Sequence, residues 1–217
     1  MQERTNQTLA RYGRQIIFPS LGEAGQRRLL AARVVIIGCG ATGTVIANHL
    51  ARAGIGYLRL VDRDYIELNN LQRQLLFDED DIRQGLPKAA AAASKLRRIN
   101  TEIEIAAVVT DVNPGNVLPL IQDADLVMDG ADNFETRYLL NDACVKLGKP
   151  WIYTGVIGSY GVSQTIVPGE SACLRCVMGQ MPAPGTTPTC DTAGVLGPSV
   201  AVVASISKLC AEPRRIT

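Results

Sequence analysis

Short β-branched segments alternate with helical segments up to about residue 158, and this order constrains the fold more than any other feature. RVVII (33–37) ends at Gly38 and is typical of a buried parallel strand. Residues 44–54 carry apolar and small side chains at helical spacing, and YLRLVD (57–62) is a second strand. Successive β–α units with short connections predict an α/β fold with a doubly wound, mostly parallel, Rossmann-like sheet.

The later segments continue this order. They predict helices over 88–100 and 133–148, parallel strands over 102–109, 125–130 and 150–158, and an antiparallel strand over 161–169. Residues 170–198 are rich in Gly, Pro, Thr and Cys and predict a long crossover loop that contains cysteines, before a helix over 199–210. We expect one domain over 1–217. Its parts are an N-terminal helical arm (1–32), a nucleotide-binding core (33–158) and the antiparallel strand, crossover loop and terminal helix (159–217).

Composition excludes several classes of function. Lys and Arg (22) nearly balance Asp and Glu (21), so the charge predicts neither a nucleic acid nor a membrane surface as partner. The polar first residues lack the apolar core of a signal peptide, and six cysteines then indicate reduced thiols in a cytoplasmic protein. The single histidine, His49, excludes mechanisms that need a histidine pair, and we expect it to pack or cap within a helix. Cys39, Cys144 and Cys210 are expected to be structural.

A glycine-rich segment follows the first strand and opens the next helix. In GCGATG (38–43), Gly38 would permit a tight turn, Gly40 would let a phosphate approach the backbone, and Gly43 would let the helix pack closely on the sheet. Asp62 follows Gly43 by 19 residues, at the end of the second strand, where a carboxylate can bind ribose hydroxyls. Glycines, strand and acid together predict nucleotide binding.

Two basic residues suit adenylation better than hydride transfer. Arg73, in NNLQRQ (69–74), and Lys88 are of the right type to stabilise negative charge developing on an α-phosphate. A nicotinamide pocket gives no reason for an arginine there. Taken singly, either residue could instead be a solvated surface cation.

Two carboxylates follow a later buried strand. Asp129 and Asp132, in DGADN (129–133), fall at the carboxyl end of that strand, where open α/β sheets bind ligands. Carboxylates are the oxygen ligands that Mg²⁺ prefers, and Asp129 is the weaker candidate. Alternatively both residues form turns, and Asp132 caps the next helix.

At this point the chain resembles the ThiF/MoeB/HesA family, whose core is shared with ubiquitin-activating enzymes. The resemblance rests on RYGRQI (11–16), VVIIGCGATG (34–43), AGIGYLRLVDRDYIELNNLQRQ (53–74), DGADNFETR (129–137), CLRC (173–176) and CDTAGVLGP (190–198). It implies that the chain is an enzyme that uses ATP and Mg²⁺ to adenylate the C-terminal glycine carboxylate of a ubiquitin-like sulfur carrier with a Gly-Gly tail. That carrier is of the molybdopterin-synthase or the thiamin-pathway type, and the products are an acyl-adenylate and pyrophosphate.

The resemblance also assigns residues. Gly38, Gly40 and Gly43 match the phosphate loop and Asp62 the ribose ligand, while Asn70, Arg73 and Lys88 match the phosphate-contacting set. Asp132 matches the magnesium aspartate. Arg14 matches an arginine that reaches into the other subunit's site, which implies a homodimer.

The remaining cysteines are the least settled part of the resemblance. Cys173 and Cys176 match half of a Cys₄ zinc site, but no second CxxC follows in this sequence, so the chain is a fragment truncated at its C-terminus or the zinc site is incomplete. Cys190 matches a cysteine that accepts sulfur or links to the carrier in some members and is dispensable in others. We expect a separate protein to donate the persulfide, since the chain has no room for a rhodanese-like domain.

Other functions remain open at this stage. A Rossmann oxidoreductase that uses NAD would explain the glycines and Asp62 but not Arg73, Lys88 or the CxxC. A relative that adenylates a tRNA-borne or small-molecule carboxylate would use the same core. A non-catalytic scaffold is disfavoured by the presence of Arg73, Lys88 and Asp132.

Overall fold

A six-stranded sheet forms the centre of the computed structural model, which describes residues 9–183 and 185–210. Its strands are β1 (Arg33–Ile37), β2 (Tyr57–Val61), β3 (Glu104–Val108), β4 (Leu126–Asp129), β5 (Trp151–Ile157) and β6 (Tyr160–Ile166). They lie in the order β3-β2-β1-β4-β5-β6. Strands β1 to β5 pair in parallel, and β6 pairs antiparallel to β5. The predicted doubly wound sheet with an antiparallel extension is confirmed.

Helices cover both faces of this sheet. They are α1 (Gly13–Ile16), α2 (Gly22–Ala31), α3 (Ala41–Ala53), α4 (Glu79–Arg83), α5 (Lys88–Ile99), α6 (Val117–Ile121), α7 (Phe134–Leu147), α8 (Leu174–Met178), α9 (Cys190–Ala193) and α10 (Gly197–Cys210), with a 3₁₀ turn at Leu68–Asn70. The predicted helical arm over 1–32 corresponds to α1 and α2, and residues 1–8 of it lie outside the described residues.

The expectation of an irregular loop over 170–198 is wrong in part, because α8, α9 and the start of α10 lie within it. Local capping explains α9: the Thr189 side chain accepts a hydrogen bond from Thr192 N–H, and the Thr192 side chain accepts one from Thr189 N–H. Such reciprocal capping satisfies backbone groups that would otherwise lack partners. A helix of four residues is too short to produce an apolar periodicity in the sequence.

Each central strand buries both of its faces, as its β-branched residues predict. Val34 and Ile36 pack on the side covered by α2, α3 and α5, while Val35 and Ile37 pack on the side covered by α6 and α7. The helices cover the two faces of the sheet, and the carboxyl ends of its parallel strands all lie along one edge. The loops that follow these strands form the candidate site.

The C-terminal helix α10 lies against α3, β5 and β6. Its Ser205 Oγ lies 3.3 Å from His49 Nε2 on α3, which agrees with a packing role for that histidine. Its Ser207 Oγ lies within hydrogen-bonding distance of Thr154 Oγ1 on β5 and Ser163 Oγ on β6. No helix in the described part of the chain has both the length and the apolar character needed to cross a membrane.

Candidate nucleotide site

Two glycine loops pack against each other where the strand order reverses, between β1 and β4. Gly130 N–H donates to Ile37 O over 2.7 Å. A Cβ on Gly38 would lie 2.4 Å from Gly130 O, and Gly38 itself has a φ of +94°, which favours glycine. A Cβ on Gly43 would lie 1.9 Å from Gly38 O. The positive φ of Gly38 agrees with the tight turn predicted for it, and the contact of Gly43 agrees with the close packing predicted there. The need for glycine at 130 was missed, although the DGADN motif contains it.

Gly40 differs from these glycines because open space surrounds it. A Cβ there would approach only Gln74 Nε2, at 4.0 Å. Gly40 is the N-cap of α3 and provides no side chain to accept the N–H groups of the first turn. These N–H groups have no acceptor within the helix, and together with the helix dipole they favour an anion. The local geometry therefore suits the approach of a phosphate.

Asp62, at the end of β2, accepts a hydrogen bond from the backbone of the glycine loop. Its Oδ2 accepts a hydrogen bond from Cys39 N–H over 2.6 Å, and its Oδ1 accepts one from Asp64 N–H over 2.8 Å. Burial raises the pKa of this carboxyl, while these hydrogen bonds and the Lys88 charge oppose the rise. Each oxygen keeps a further lone pair, so the carboxylate can still accept from a ribose hydroxyl.

Lys88 is not the solvated cation that the sequence left possible. It begins α5 and is only 8% exposed. Its Nζ lies 3.1 Å from Asp64 Oδ2, and its N–H donates to Asp64 O over 2.8 Å. The Lys88 charge also acts on Asp62 and on Cys39 in the glycine loop. A buried ammonium group is thus held close to the loop by a carboxylate that is itself half exposed.

Asn70 and Arg73 lie on the segment between β2 and α4. Asn70 is 6% exposed, and its amide accepts from Glu67 N–H and donates to Asn69 Oδ1. Arg73 is half-buried, and its Nη1 donates to Asn69 O over 2.7 Å. Asn70 therefore stabilises the turn that carries Arg73, whose remaining guanidinium donors are available to a ligand.

Asp129 and Asp132 have different environments. Asp129 is completely buried, and its Oδ2 lies 3.2 Å from Arg137 Nε. Its Oδ1 accepts from Ala131 N–H, and Arg137 Nη2 donates to Ala131 O over 2.7 Å. Burial raises the pKa of Asp129, and the Arg137 charge opposes the rise. This pair therefore fixes the turn that leads to Asp132.

Asp132 is exposed, and one of its oxygens accepts from Asn133 Nδ2 over 3.1 Å. The helix cap suggested for Asp132 is provided instead by Asn133, whose Oδ1 accepts from Thr136 N–H. An exposed carboxylate at the carboxyl edge of the sheet is compatible with a Mg²⁺ ligand. The enclosed Asp129 already has a cationic partner and fits that role less well.

Gln74 is a site residue that sequence reasoning did not single out. It is 4% exposed, and its Oε1 has no hydrogen-bond partner among the described residues. An unpaired buried acceptor of this kind costs about 1–3 kcal/mol. Its Nε2 faces the open space at Gly40. The only sequence signal was its place at the end of the NNLQRQ segment.

Residues 190–197 contact the end of β5 on one side and the segment that carries Arg73 on the other. Gly158 N–H donates to Gly194 O, Leu196 N–H donates to Gly158 O, and Cys190 Sγ lies 3.9 Å from Val156 O. At the other end, a Cβ on Gly197 would lie 2.9 Å from Gln72 O. Cys190 therefore lies at the same carboxyl edge of the sheet as the glycine loops.

The CxxC pair lies elsewhere, on the outer side of α7. Leu174 N–H donates to Asn141 Oδ1, and the Cys173 and Cys176 sulfurs are 3.5 Å apart. Burial raises the pKa of the Cys173 thiol, but hydrogen bonds with Cys176, the Arg175 backbone and Asn141 together lower the pKa below its ordinary value. Two thiolates on a tetrahedral zinc would be about 3.8 Å apart, so the pair has suitable spacing. No group of three or more candidate metal ligands occurs among the described residues, so the four ligands of a structural zinc are not brought together there.

The other cysteines are buried where they are described. Cys39 is 2% exposed and Cys144 is fully buried, and burial raises the pKa of both thiols, that of Cys144 to about 12. A packing role, as predicted, fits both. The side chain of Cys210 lies outside the described residues.

Arg14 lies far from the glycine loop of its own chain. It is exposed on α1, and the neighbouring Gln15 donates to Ala53 O over 3.1 Å, at the last residue of α3. Helix α3 begins at the glycine loop and spans about 18 Å.

Comparison with known proteins identifies the family. The model of the ThiF family matches residues 12–211. The chain belongs to the ThiF family. A similar ThiF-family relative is the sulfur carrier protein ThiS adenylyltransferase of Bacillus subtilis, 50% identical over 194 residues. The match covers 89% of this chain but 57% of that relative, so the chain spans just over half of its length.

Solved structures agree with this ThiF-family assignment. The crystal structure of Escherichia coli MccB with MccA-N7isoAsn has a TM-score of 0.80 at 28% identity, with 94% of this chain and 63% of that chain covered. That of E. coli MccB with ATP has a TM-score of 0.75 at 29% identity, with 86% and 57% covered. The resemblance noted from the motifs and the Rossmann-like fold are both confirmed.

Proposed function

We propose that this chain is an adenylyltransferase that uses ATP to activate the C-terminal glycine carboxylate of a small ubiquitin-like sulfur carrier protein. The observation that carries the proposal is the buried Lys88 held beside the open Gly40 loop, at the crevice where the strand order reverses. The name of the B. subtilis relative supports the reaction and the carrier class, and the MccB structure with ATP supports the nucleotide.

Different residues around the crevice would bind different parts of the nucleotide. The first turn of α3 and Gly40 would receive a phosphate, and Asp62 would accept from the ribose. Lys88 and Arg73 would offset the negative charge that develops when a carboxylate attacks the α-phosphate. Their placement by Asp64 and Asn69 reduces the reorganisation needed in the transition state.

Asp132 would hold Mg²⁺, whose chemistry is to bridge and neutralise phosphate oxygens. The exposed Asp132 carboxylate fits this ion, and the Asp129–Arg137 pair would keep its turn in place. Cys173 and Cys176 would provide half of a Cys₄ zinc site, consistent with their 3.5 Å separation.

The positions of Arg14 and Cys190 support a proposal for the partners of the chain. A homodimer would bring Arg14 of one subunit into the crevice of the other, which is consistent with its distance from its own glycine loop. The carrier's tail would enter at the carboxyl edge of the sheet, where Cys190 also lies. The Cys190 thiolate would displace AMP from the acyl-adenylate to form a thioester with the carrier, or would take the outer sulfur of a donor's persulfide as the donor's thiol leaves. A separate protein would donate the persulfide, and we propose a cytoplasmic location.

Pyrophosphate exchange tests this function. The wild-type chain should exchange labelled pyrophosphate into ATP only with a carrier that ends in Gly-Gly. Arg73→Ala and Asp132→Ala should abolish exchange without unfolding the chain, while Arg83→Ala, an exposed arginine on α4, should retain it.

Two results would contradict the proposal. Normal exchange in the Arg73 or Asp132 variant would remove the site as placed here. An absorbance change with a nicotinamide cofactor, together with no carrier-dependent exchange, would favour the oxidoreductase. If exchange does depend on a carrier, pull-downs with carriers of the thiamin and molybdopterin types would identify the partner.

A further inference from the structure

Gln74 is a polar side chain enclosed beside the glycine loop without a full set of partners. It is 4% exposed, and its Oε1 lacks a hydrogen-bond partner in the part of the chain that the structure describes. Most buried side-chain polar atoms in proteins are paired, so an unpaired one calls for an explanation. A methionine would fill similar volume without burying an amide.

A side chain that carries this cost is expected to have another role, and its amide nitrogen, rather than the unpaired oxygen, borders the glycine loop. Apart from the neighbouring backbone, Gln74 Nε2 is the only atom of the described residues found within 4 Å of a Cβ built on Gly40. Gly40 caps a helix of 13 residues whose first N–H groups receive no side-chain acceptor from the cap. The carboxamide therefore borders the open space at this helix terminus.

The backbone around Gln74 holds it in place. Gln74 N–H donates to Asn70 O over 2.9 Å, and Phe77 N–H donates to Gln74 O over 3.1 Å. Gln72 and Leu75 in the same segment are exposed, whereas Asn70 and Gln74 are buried. The backbone of Gln74 is therefore part of the turn that also carries Arg73.

We propose that the Gln74 amide donates a hydrogen bond to the nucleotide phosphate that lies over Gly40, and so contributes to the selection of phosphorylated over unphosphorylated nucleosides. This inference rests on the proposed function. The backbone N–H groups of α3 and the Gln74 Nε2 would then contact the anion from two sides. A hydrogen bond to a charged group is worth about 10- to 100-fold in affinity.

The test compares ATP with adenosine, which lacks the phosphates. Gln74→Met keeps the volume and removes the donor, and it should raise the Kd for ATP at least about tenfold. Its Kd for adenosine should stay within about twofold of wild type, because the proposed contact is to phosphate alone. In pyrophosphate exchange, the KM for ATP should rise more than kcat falls. Gln72→Met, the same change at an exposed position, should leave both affinities unchanged.

Gln74→Glu adds a charge test, because a carboxylate in place of the amide repels phosphate. It should weaken ATP binding more than Gln74→Met does. Since a buried carboxylate could prevent folding, the methionine variant decides the outcome alone. Unchanged ATP affinity in that variant, or equal losses for ATP and adenosine, would overturn the inference and leave the proposed function intact. A wild-type chain that does not bind ATP would overturn both.

Discussion

Removing the cation beside Asp129 should destabilise the chain strongly. The Asp129 side chain is fully buried and that of Arg137 is 10% exposed, with 3.2 Å between Oδ2 and Nε. Arg137→Met would leave a buried carboxylate facing no cation and would remove the hydrogen bond to Ala131 O. Loss of one partner of a buried ion pair costs about 3–5 kcal/mol. For a chain of this size, that lowers Tm by about 6–20 °C.

The assay is urea unfolding followed by circular dichroism at pH 7.5, with thermal unfolding alongside. Asp129→Asn combined with Arg137→Met should recover at least about 1 kcal/mol relative to Arg137→Met alone, because no buried charge remains. Arg175→Met removes an exposed partner of Asp142 and serves as the matched control, which should unfold at nearly the same urea concentration as the wild type.

Lowering the pH should narrow the gap between Arg137→Met and the wild type. Burial already raises the pKa of Asp129, and the variant removes the Arg137 charge that opposes the rise. A carboxyl with a higher pKa in the folded than in the unfolded state binds protons more tightly when folded, so acidification relieves the penalty. A loss under about 1 kcal/mol, or a gap that does not change between pH 7.5 and 5, would refute a structural ion pair at this position.

Three further outcomes can be measured on the same chain. Gly43→Ala should lower the free energy of unfolding in urea by about 1–3 kcal/mol or more, because its Cβ would lie 1.9 Å from Gly38 O. Gly40→Ala should lower it by less than about 1 kcal/mol, and equal losses in the two variants would contradict the packing described. Asp123→Asn should lower stability by about 1 kcal/mol near pH 7, since Asp123 is partly exposed. A hydrogen bond from Arg59 holds the pKa of Asp123 at about 2, below the ordinary 3.8, so this contribution should be present above pH 3.8 and fade as pH falls towards 2; a pH-independent difference would oppose it. Cys190→Ser should leave pyrophosphate exchange unchanged, and loss of exchange would place the thiol in the nucleotide site.

The long elements were predictable because local chemistry agrees with the fold. Helices α3 and α7 end at Gly54 and Gly148, both with positive φ, as their glycine stop signals indicated. The short helices α6 and α9 were not predictable, because four or five residues show no apolar period. Burial of Val117 and Ile121 against the sheet stabilises α6, and that depends on the assembled fold.

Individual site residues show the same limit. The sequence indicated the right chemical type at Lys88 but could not tell a buried cation from a solvated one, because its partner Asp64 precedes it by 24 residues. It proposed Asp129 and Asp132 together as carboxylates for Mg²⁺. The structure separates them because Arg137, one turn into α7, pairs with Asp129. Residue type can be read from a sequence, whereas pairing depends on which side chains meet.

The glycine at 130 shows why a motif understates its own constraints. In the GCGATG motif, the glycines are explained by their effect on a nucleotide or on the following helix. Gly38 is also required by its contact with Gly130, which lies 92 residues later in the loop after β4. A Cβ on Gly130 would lie 2.5 Å from Gly38 O and 3.0 Å from Gly43 Cα, so neither loop can take a larger residue unless the other moves. The two halves of the doubly wound sheet therefore meet at the crevice through backbone contacts. A substitution at Gly130 should consequently disturb the phosphate loop, although the residue lies on the Asp132 side of the crevice.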